Sequence, residues 1–177
     1  MNNTSAHGPA IDIRAEQPGD LVAIREVHRL AFAGDAEPRL VDALRSAGLT
    51  VVSLVALAST RVIGHVLFSE LECHATRGHP RAASLAPVGV APEHQRRGVG
   101  GALIRRGLEL CRARGVDVVV VLGHPEYYPR FGFSAAAARG LESPYSGSEA
   151  FMALPLTPAF LAGERAALRY PDAFSAV

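Results

Sequence analysis

Residues Ser84 to Arg114 leave a chain few ways to fold. A short apolar run, SLAPVGVAP, passes into EHQRRGVGGALI and then into RRGLELCRAR. The apolar run reads as a strand, the Pro-bounded segment as a turn, and the rest as a long amphipathic helix. Gly98, Gly100 and Gly101 fall where that helix begins. Glycine lets a ligand approach the backbone because no Cβ intervenes. The first N–H groups of a helix have no internal partner, and the helix dipole is positive there. With Arg96 and Arg97 alongside, the stretch reads as an anion site built from main-chain donors.

Two common nucleotide loops do not fit. A Walker loop needs lysine followed by Ser or Thr, and this chain has no lysine. A dinucleotide fingerprint needs a third glycine where Leu103 stands.

What fits is Q-x-x-G-x-G after a strand ending V-x-V-x-P. The residues are Val88-Gly89-Val90-Ala91-Pro92, then Gln95, Gly98 and Gly100, with Tyr128-Pro129-Arg130-Phe131-Gly132-Phe133 further on. This pattern resembles the acetyl-coenzyme A loop of the GNAT N-acetyltransferase superfamily. The segment MALPLTPAFLAG, with RYPDAF after it, resembles small bacterial members of that family.

The rest of the chain is consistent with one domain. Its 177 residues suit a single core, expected over 11–177 behind a disordered stretch 1–10. A short strand starts at Ile11. A helix with Leu21, Ile24, Val27, His28 and Ala31 on one stripe follows, and His28 reads as a packing histidine. A second helix turns Leu40, Val41, Leu44 and Ala47 inward and stops at Gly48. Val51–Ala58 and Arg61–Leu71 read as a hairpin through Ser59-Thr60. A polar loop, Glu72 to Arg81, precedes the fourth strand, Ala83–Val90. In the long helix Val99, Leu103, Gly107 and Leu110 share a face, with Gly107 suited to close helix–sheet packing. Val116–Leu122 is a continuous apolar run but for Asp117, as in a strand covered on both faces. A short helix or turn spans Glu126 to Gly132, and Phe133 opens a strand. Glu149–Leu156 reads as the last strand, at an edge because of Pro155. Pro158–Leu168 reads as a short helix.

The resemblance implies an α/β fold: a mixed, mostly antiparallel sheet with helices on both faces, splayed between strands 4 and 5. It implies acetyl-CoA as co-substrate, with no metal. Val88, Gly89 and Val90 would hold pantetheine and the thioester. Gln95, Arg96, Arg97, Gly98, Val99, Gly100 and Gly101 would form the pyrophosphate loop. The acetyl group would pass by direct attack to an amine of a small molecule or protein. The Val90 N–H would stabilise the oxyanion, and Tyr128 would act as catalytic acid on the departing thiolate. The base stays open among Glu70, Glu72, His124, Glu126 and a water chain. Glu37, Arg39 and residues Glu142 to Glu149 could meet the acceptor. The alternative is an acyl-CoA-binding module without turnover.

Composition bounds the partners. The net charge of +1 argues against nucleic acid as a partner, despite the arginine face of Arg105 and Arg112. No apolar run approaches a membrane span and MNNTSAHGPA has no signal core, so the expectation is a cytoplasmic chain. Cys73 and Cys111 read as reduced thiols, and Cys73, His74 and His79 match no zinc spacing. The C-terminal strand and tail could form the edge of a homodimer.

Overall fold

The computed structural model describes residues 11–75, 79–157, 160 and 165–176. The expected disordered stretch 1–10 lies outside these. Five strands build most of one sheet: β1 (Ile11–Ala15), β2 (Thr50–Ala58), β3 (Arg61–Ala75), β4 (Ala82–Val90) and β5 (Val118–Leu122). Each pairs with the next, antiparallel except for the parallel β4–β5 step. Two helices, α1 (Leu21–Phe32) and α2 (Ala36–Ser46), separate β1 from β2, and α3 (Val99–Ala113) separates β4 from β5. After a one-turn helix α4 (Ala135–Ala138) and a two-residue β6 (Leu141–Glu142) come β7 (Phe151–Pro155) and β8 (Ala166–Arg169). The mixed sheet with helices on both faces is the fold expected of the sequence.

The alternation of side chains divides the core. Val52, Leu54, Val66 and Phe68 face α3, packing with Leu103, Ile104 and Leu108. Val55, Leu57 and Leu67 face the opposite way, onto Ile24 and Val27 of α1 and Leu40 and Leu44 of α2. On α3 it is Leu108 that is fully buried, while Leu110 is half-buried.

Gly107 makes the tight helix–sheet contact expected of it. A Cβ there would stand 2.1 Å from Cε2 of Phe68, which is fully buried. Helix propensity alone favours alanine by about 1 kcal/mol, but overpacking costs roughly 1–3 kcal/mol. Overpacking wins because the obstacle is a ring with nowhere to go. Gly107→Ala should therefore lower the urea midpoint, and adding Phe68→Leu should recover part of the loss. A Gly107→Ala chain more stable than wild type would contradict this packing.

Three expectations about the chain after Leu71 are corrected. The polar stretch after Leu71 is not all loop, because β3 continues to Ala75 and pairs there with β8, Glu72 opposite Arg169 and Ala75 opposite Ala166. The expected helix Pro158–Leu168 lies partly outside the described residues, and its end, Ala166–Leu168, is strand. Backbone pairing with the β3 extension and with Leu141–Glu142 overrides the helical composition. Phe133 does not open a strand. Ser134 makes a single bridge to Ala153, and its hydroxyl then caps α4 by accepting from the Ala137 N–H at 3.1 Å. The strand expected at Glu149–Leu156 is β7, followed by β8. Along the main sheet β7 stands last, beside β5, consistent with Pro155.

Candidate active site

The sheet opens where the glycine loop sits. β4 and β5 pair only at Ala82–Val118, Ala83–Val119 and Ser84–Val120. β5 ends at Leu122, and β4 runs six residues past Ser84 without it. The direction of β4's free groups follows from its other edge. Ala91 N–H donates to the Ile63 carbonyl at 2.9 Å, in register with His65↔Gly89. Hydrogen-bonded and non-bonded pairs alternate in an antiparallel ladder. The Val88 and Val90 amides therefore point away from β3, into the gap. They are unused strand edge, able to pair with an extended ligand.

A cleft of about 950 Å³ fills this gap and continues over the loop. Gln95, Arg96, Gly98, Val99, Gly100 and Gly101 line it beside Val88 and Val90. Gln95 Nε2 donates to the Val90 carbonyl at 3.0 Å, tying the loop to the strand end. Gly98 is the N-cap of α3 with φ +86°, a left-handed conformation that favours glycine. A Cβ there would meet nothing within 4 Å, so the space above it is open. Two of the expected cofactor residues do not reach the cleft. Arg97 is exposed outside its lining. Gly89 is buried on the far face of β4, against His28.

Tyr128 stands across the gap at the end of β5. Its ring fills the space a Cβ on Gly123 would need, 2.2 Å from Cε2. Burial, and then neighbouring Tyr127, pushes its hydroxyl up to about 12. Tyr127 also lines the cleft, its hydroxyl 3.4 Å from the position of a Cβ on Gly100, so it belongs to the loop end. Of the four expected bases only His124 lines the cleft; Glu70, Glu72 and Glu126 lie outside the lining.

The ionisable groups lining the cleft are mostly basic. Arg96, Arg105, Arg130, His94 and His124 line it. Among the described lining residues Glu37 is the one carboxylate, and Phe32, Tyr145, Tyr170 and Phe174 line the cleft as well. Tyr145 and Tyr170 meet edge-to-face with centroids 5.1 Å apart. Arg39 lies elsewhere, in a shallow depression between α1 and α2, and the 142–149 stretch contributes Tyr145, not a carboxylate.

A buried polar chain that sequence reasoning missed lies beneath β4. Arg45 Nε and Nη2 donate to the two carboxylate oxygens of Glu16 at 2.7 and 2.9 Å. The Ser53 hydroxyl also donates to Glu16. Ser53 Oγ lies 2.9 Å from His65 Nε2, and His65 Nδ1 lies 2.7 Å from His28 Nε2. Both rings are fully buried. The signal was present: one histidine on an apolar helix stripe and another amid an apolar strand. Each is unfavourable alone in a core, and a pair resolves both.

The chain has a consequence for stability. Burial raises the Glu16 carboxyl, but hydrogen bonds from His65, Arg45 and Ser53 outweigh it and hold the group well below its usual range. Burial lowers His65 against the pull of Glu16. Burial, then His65 and Arg45, lowers His28 well below its ordinary value. Histidines depressed in the folded state leave the unfolded chain with more protons below about pH 6.5. Stability should hold above about pH 7 and fall below 6.5 by about 1.4 kcal/mol per pH unit for each histidine kept neutral. Glu16 adds a further loss below about pH 4.5. Urea unfolding of wild type and His28→Gln from pH 7.5 to 5 checks this, with a shallower slope expected in the variant. Equal slopes would mean that His28 is not neutral in the fold.

Comparison with known proteins agrees with this geometry. A family model described as an acetyltransferase (GNAT) domain matches residues 12–136. The chain is 40% identical over 129 residues to the uncharacterized N-acetyltransferase YjhQ of Escherichia coli K12, covering 71% of each chain. It is similar to the crystal structure of the GNAT family N-acetyltransferase YhbS from Escherichia coli in complex with CoA. There the TM-score is 0.84 with 32% identity, covering 93% of this chain and 92% of the other. A GNAT family acetyltransferase from Brucella melitensis in complex with acetyl-CoA has a TM-score of 0.77 and 34% identity, covering 94% and 99%. No described helix is long and apolar enough to cross a membrane.

Proposed function

The chain belongs to the GNAT family of acetyltransferases, and from that premise we propose that it moves the acetyl group of acetyl-CoA directly onto a cationic amine with an apolar body. It is an acetyl-CoA-dependent N-acetyltransferase. The observation that carries the finer reading is the gap between β4 and β5, with two free strand amides beside a glycine loop. Pantetheine pairs with Val88 and Val90, and the pyrophosphate lies on the amides from Arg96 to Gly101. The Val90 N–H faces the thioester oxygen and stabilises it as negative charge develops in attack. Tyr128 donates a hydrogen bond to the departing sulfur.

The acceptor class rests on Glu37, the one carboxylate among the described lining residues. A protonated amine is drawn to Glu37, and its body packs on Tyr145 and Tyr170. An amine that also carries carboxylates would bring negative charge to Glu37 and is excluded. Release of free thiol from acetyl-CoA with phenethylamine, spermine and glutamate tests this. Phenethylamine should be the best of the three and glutamate silent. Glutamate as the preferred acceptor would overturn the acceptor class. Silence with all three, at high protein concentration, would count against transfer itself.

A further inference from the structure

We propose that Arg105 and Arg130 together hold the 3′-phosphate of the coenzyme, and so make the protein select CoA over forms of pantetheine that lack this group. The proposal rests on the pyrophosphate site given above and assigns the third phosphate, which that reading leaves unheld.

The two arginines come from different elements and meet at the glycine loop. Arg105 stands on α3 one turn past Gly101, and Arg130 belongs to the short helical turn Tyr128–Phe131. Both line the cleft. A Cβ on Gly101 would stand 3.3 Å from Arg105 Nη1 and 3.6 Å from Cζ of Phe131. A Cβ on Gly100 would stand 3.4 Å from the Tyr127 hydroxyl. The rings of Tyr127 and Phe131 touch each other, with centroids 5.4 Å apart. Each ring carries one guanidinium: Arg105 lies 5.2 Å from the Phe131 centroid and Arg130 lies 4.5 Å from that of Tyr127. Two aromatic rings thus seat two cations beside adjacent glycines of the loop. Burial raises the Tyr127 hydroxyl, and Arg130 and then Arg105 oppose the rise. Both cations therefore bear on the one hydroxyl that reaches Gly100.

The manner of holding leaves their charge unspent. Arg106, the next residue on α3, donates to Glu109 at 2.9 Å. Arg105 and Arg130 have no carboxylate partner among the described residues. A ring face orients a guanidinium without neutralising it and leaves the N–H groups at its edge free to donate.

The coenzyme supplies an anion that suits such a pair. Its pyrophosphate is met by the main-chain amides from Arg96 to Gly101. Its ribose 3′-phosphate is a monoester, with a charge of about −1.5 to −2 near pH 7 and three acceptor oxygens. Two guanidinium forks can engage those oxygens with paired hydrogen bonds, which a single phosphodiester would satisfy less well. 3′-Dephospho-CoA keeps the pyrophosphate and lacks the monoester. Pantetheine bound to a carrier protein through one phosphodiester lacks the whole nucleotide. The clamp therefore favours the free coenzyme over both.

Calorimetric titration with CoA and with 3′-dephospho-CoA, at low ionic strength, tests this without an acceptor. Wild type should bind CoA about a hundredfold more tightly than the dephospho form. Arg105→Gln and Arg130→Gln should each weaken CoA about tenfold and leave 3′-dephospho-CoA within about twofold of wild type. The double variant should bind the two ligands nearly alike. Arg106→Gln removes the same charge one residue away and should keep the full preference. All these side chains are exposed, so melting midpoints without ligand should stay near that of wild type. Equal wild-type affinity for the two ligands would overturn the proposal. So would variants that weaken both ligands alike, since the arginines would then serve the pyrophosphate. A preference lost equally in Arg106→Gln would reduce the effect to bulk charge and also overturn it. Failure of both ligands to bind wild type would remove the coenzyme site itself, and the clamp with it.

Discussion

Gly98→Val should weaken acetyl-CoA binding by about a hundredfold or more and leave the chain folded. The protein side of the site has room, because a Cβ on residue 98 would meet nothing within 4 Å. The backbone does not, because φ is +86° and a β-branched residue is an outlier there. That strain costs about 1–3 kcal/mol of stability, which shows as a lower melting midpoint without ligand. The larger loss falls on the ligand. The new side chain stands over the amides that open α3, where a pyrophosphate would accept charge-assisted hydrogen bonds worth about 1.5–3 kcal/mol each. Losing two of them amounts to about 3 kcal/mol or more, which is at least a hundredfold. Calorimetric titration measures this directly. Wild-type affinity in Gly98→Val would move the phosphate site off this loop.

Tyr128→Phe should slow turnover by about ten- to a hundredfold with little change in acetyl-CoA affinity. The hydroxyl is pushed up to about 12 by burial, whereas thiols ordinarily titrate near 8.5. Full proton transfer to a thiolate would therefore run uphill. What the tyrosine can supply throughout is a hydrogen bond to the developing negative charge, worth about 1.5–3 kcal/mol. Removing an interaction made mainly in the transition state lowers kcat and kcat/KM together. The ring remains, so its packing with Phe133 and Gly123 survives. Tyr127→Phe serves as a comparison of a different kind. Tyr127 reaches toward Gly100 and carries the Arg130 guanidinium 4.5 Å from its ring centroid, so it should alter coenzyme affinity more than kcat. Full activity in Tyr128→Phe would leave the sulfur to solvent alone.

The strand, glycine loop and helix were legible because their causes are local. Gly98 marks a left-handed N-cap, and the α3 stripe is a matter of 3.6-residue spacing. β8 was not legible, because nothing within Ala166–Arg169 demands a strand. It is made one by β3, which runs past Leu71, about ninety residues earlier. The end of β3 was hidden for the same reason, since its polar residues are extended only because a partner meets them. The cofactor loop was likewise read from adjacent residues, but its side-chain directions were not. Gly89 sits in the motif and faces His28, and Arg97 sits in the loop and faces solvent. His28 and His65 lie on different elements, 37 residues apart, and only the fold brings them to 2.7 Å.

A structure of the acetyl-CoA complex tests the central claim most directly. The account predicts pantetheine paired with the main chain of Val88 and Val90, and pyrophosphate on the amides from Arg96 to Gly101. It also predicts the thioester oxygen about 3 Å from the Val90 nitrogen, with Tyr128 facing the sulfur. A coenzyme with its pyrophosphate away from this loop, or its thioester outside the β4–β5 gap, would contradict it.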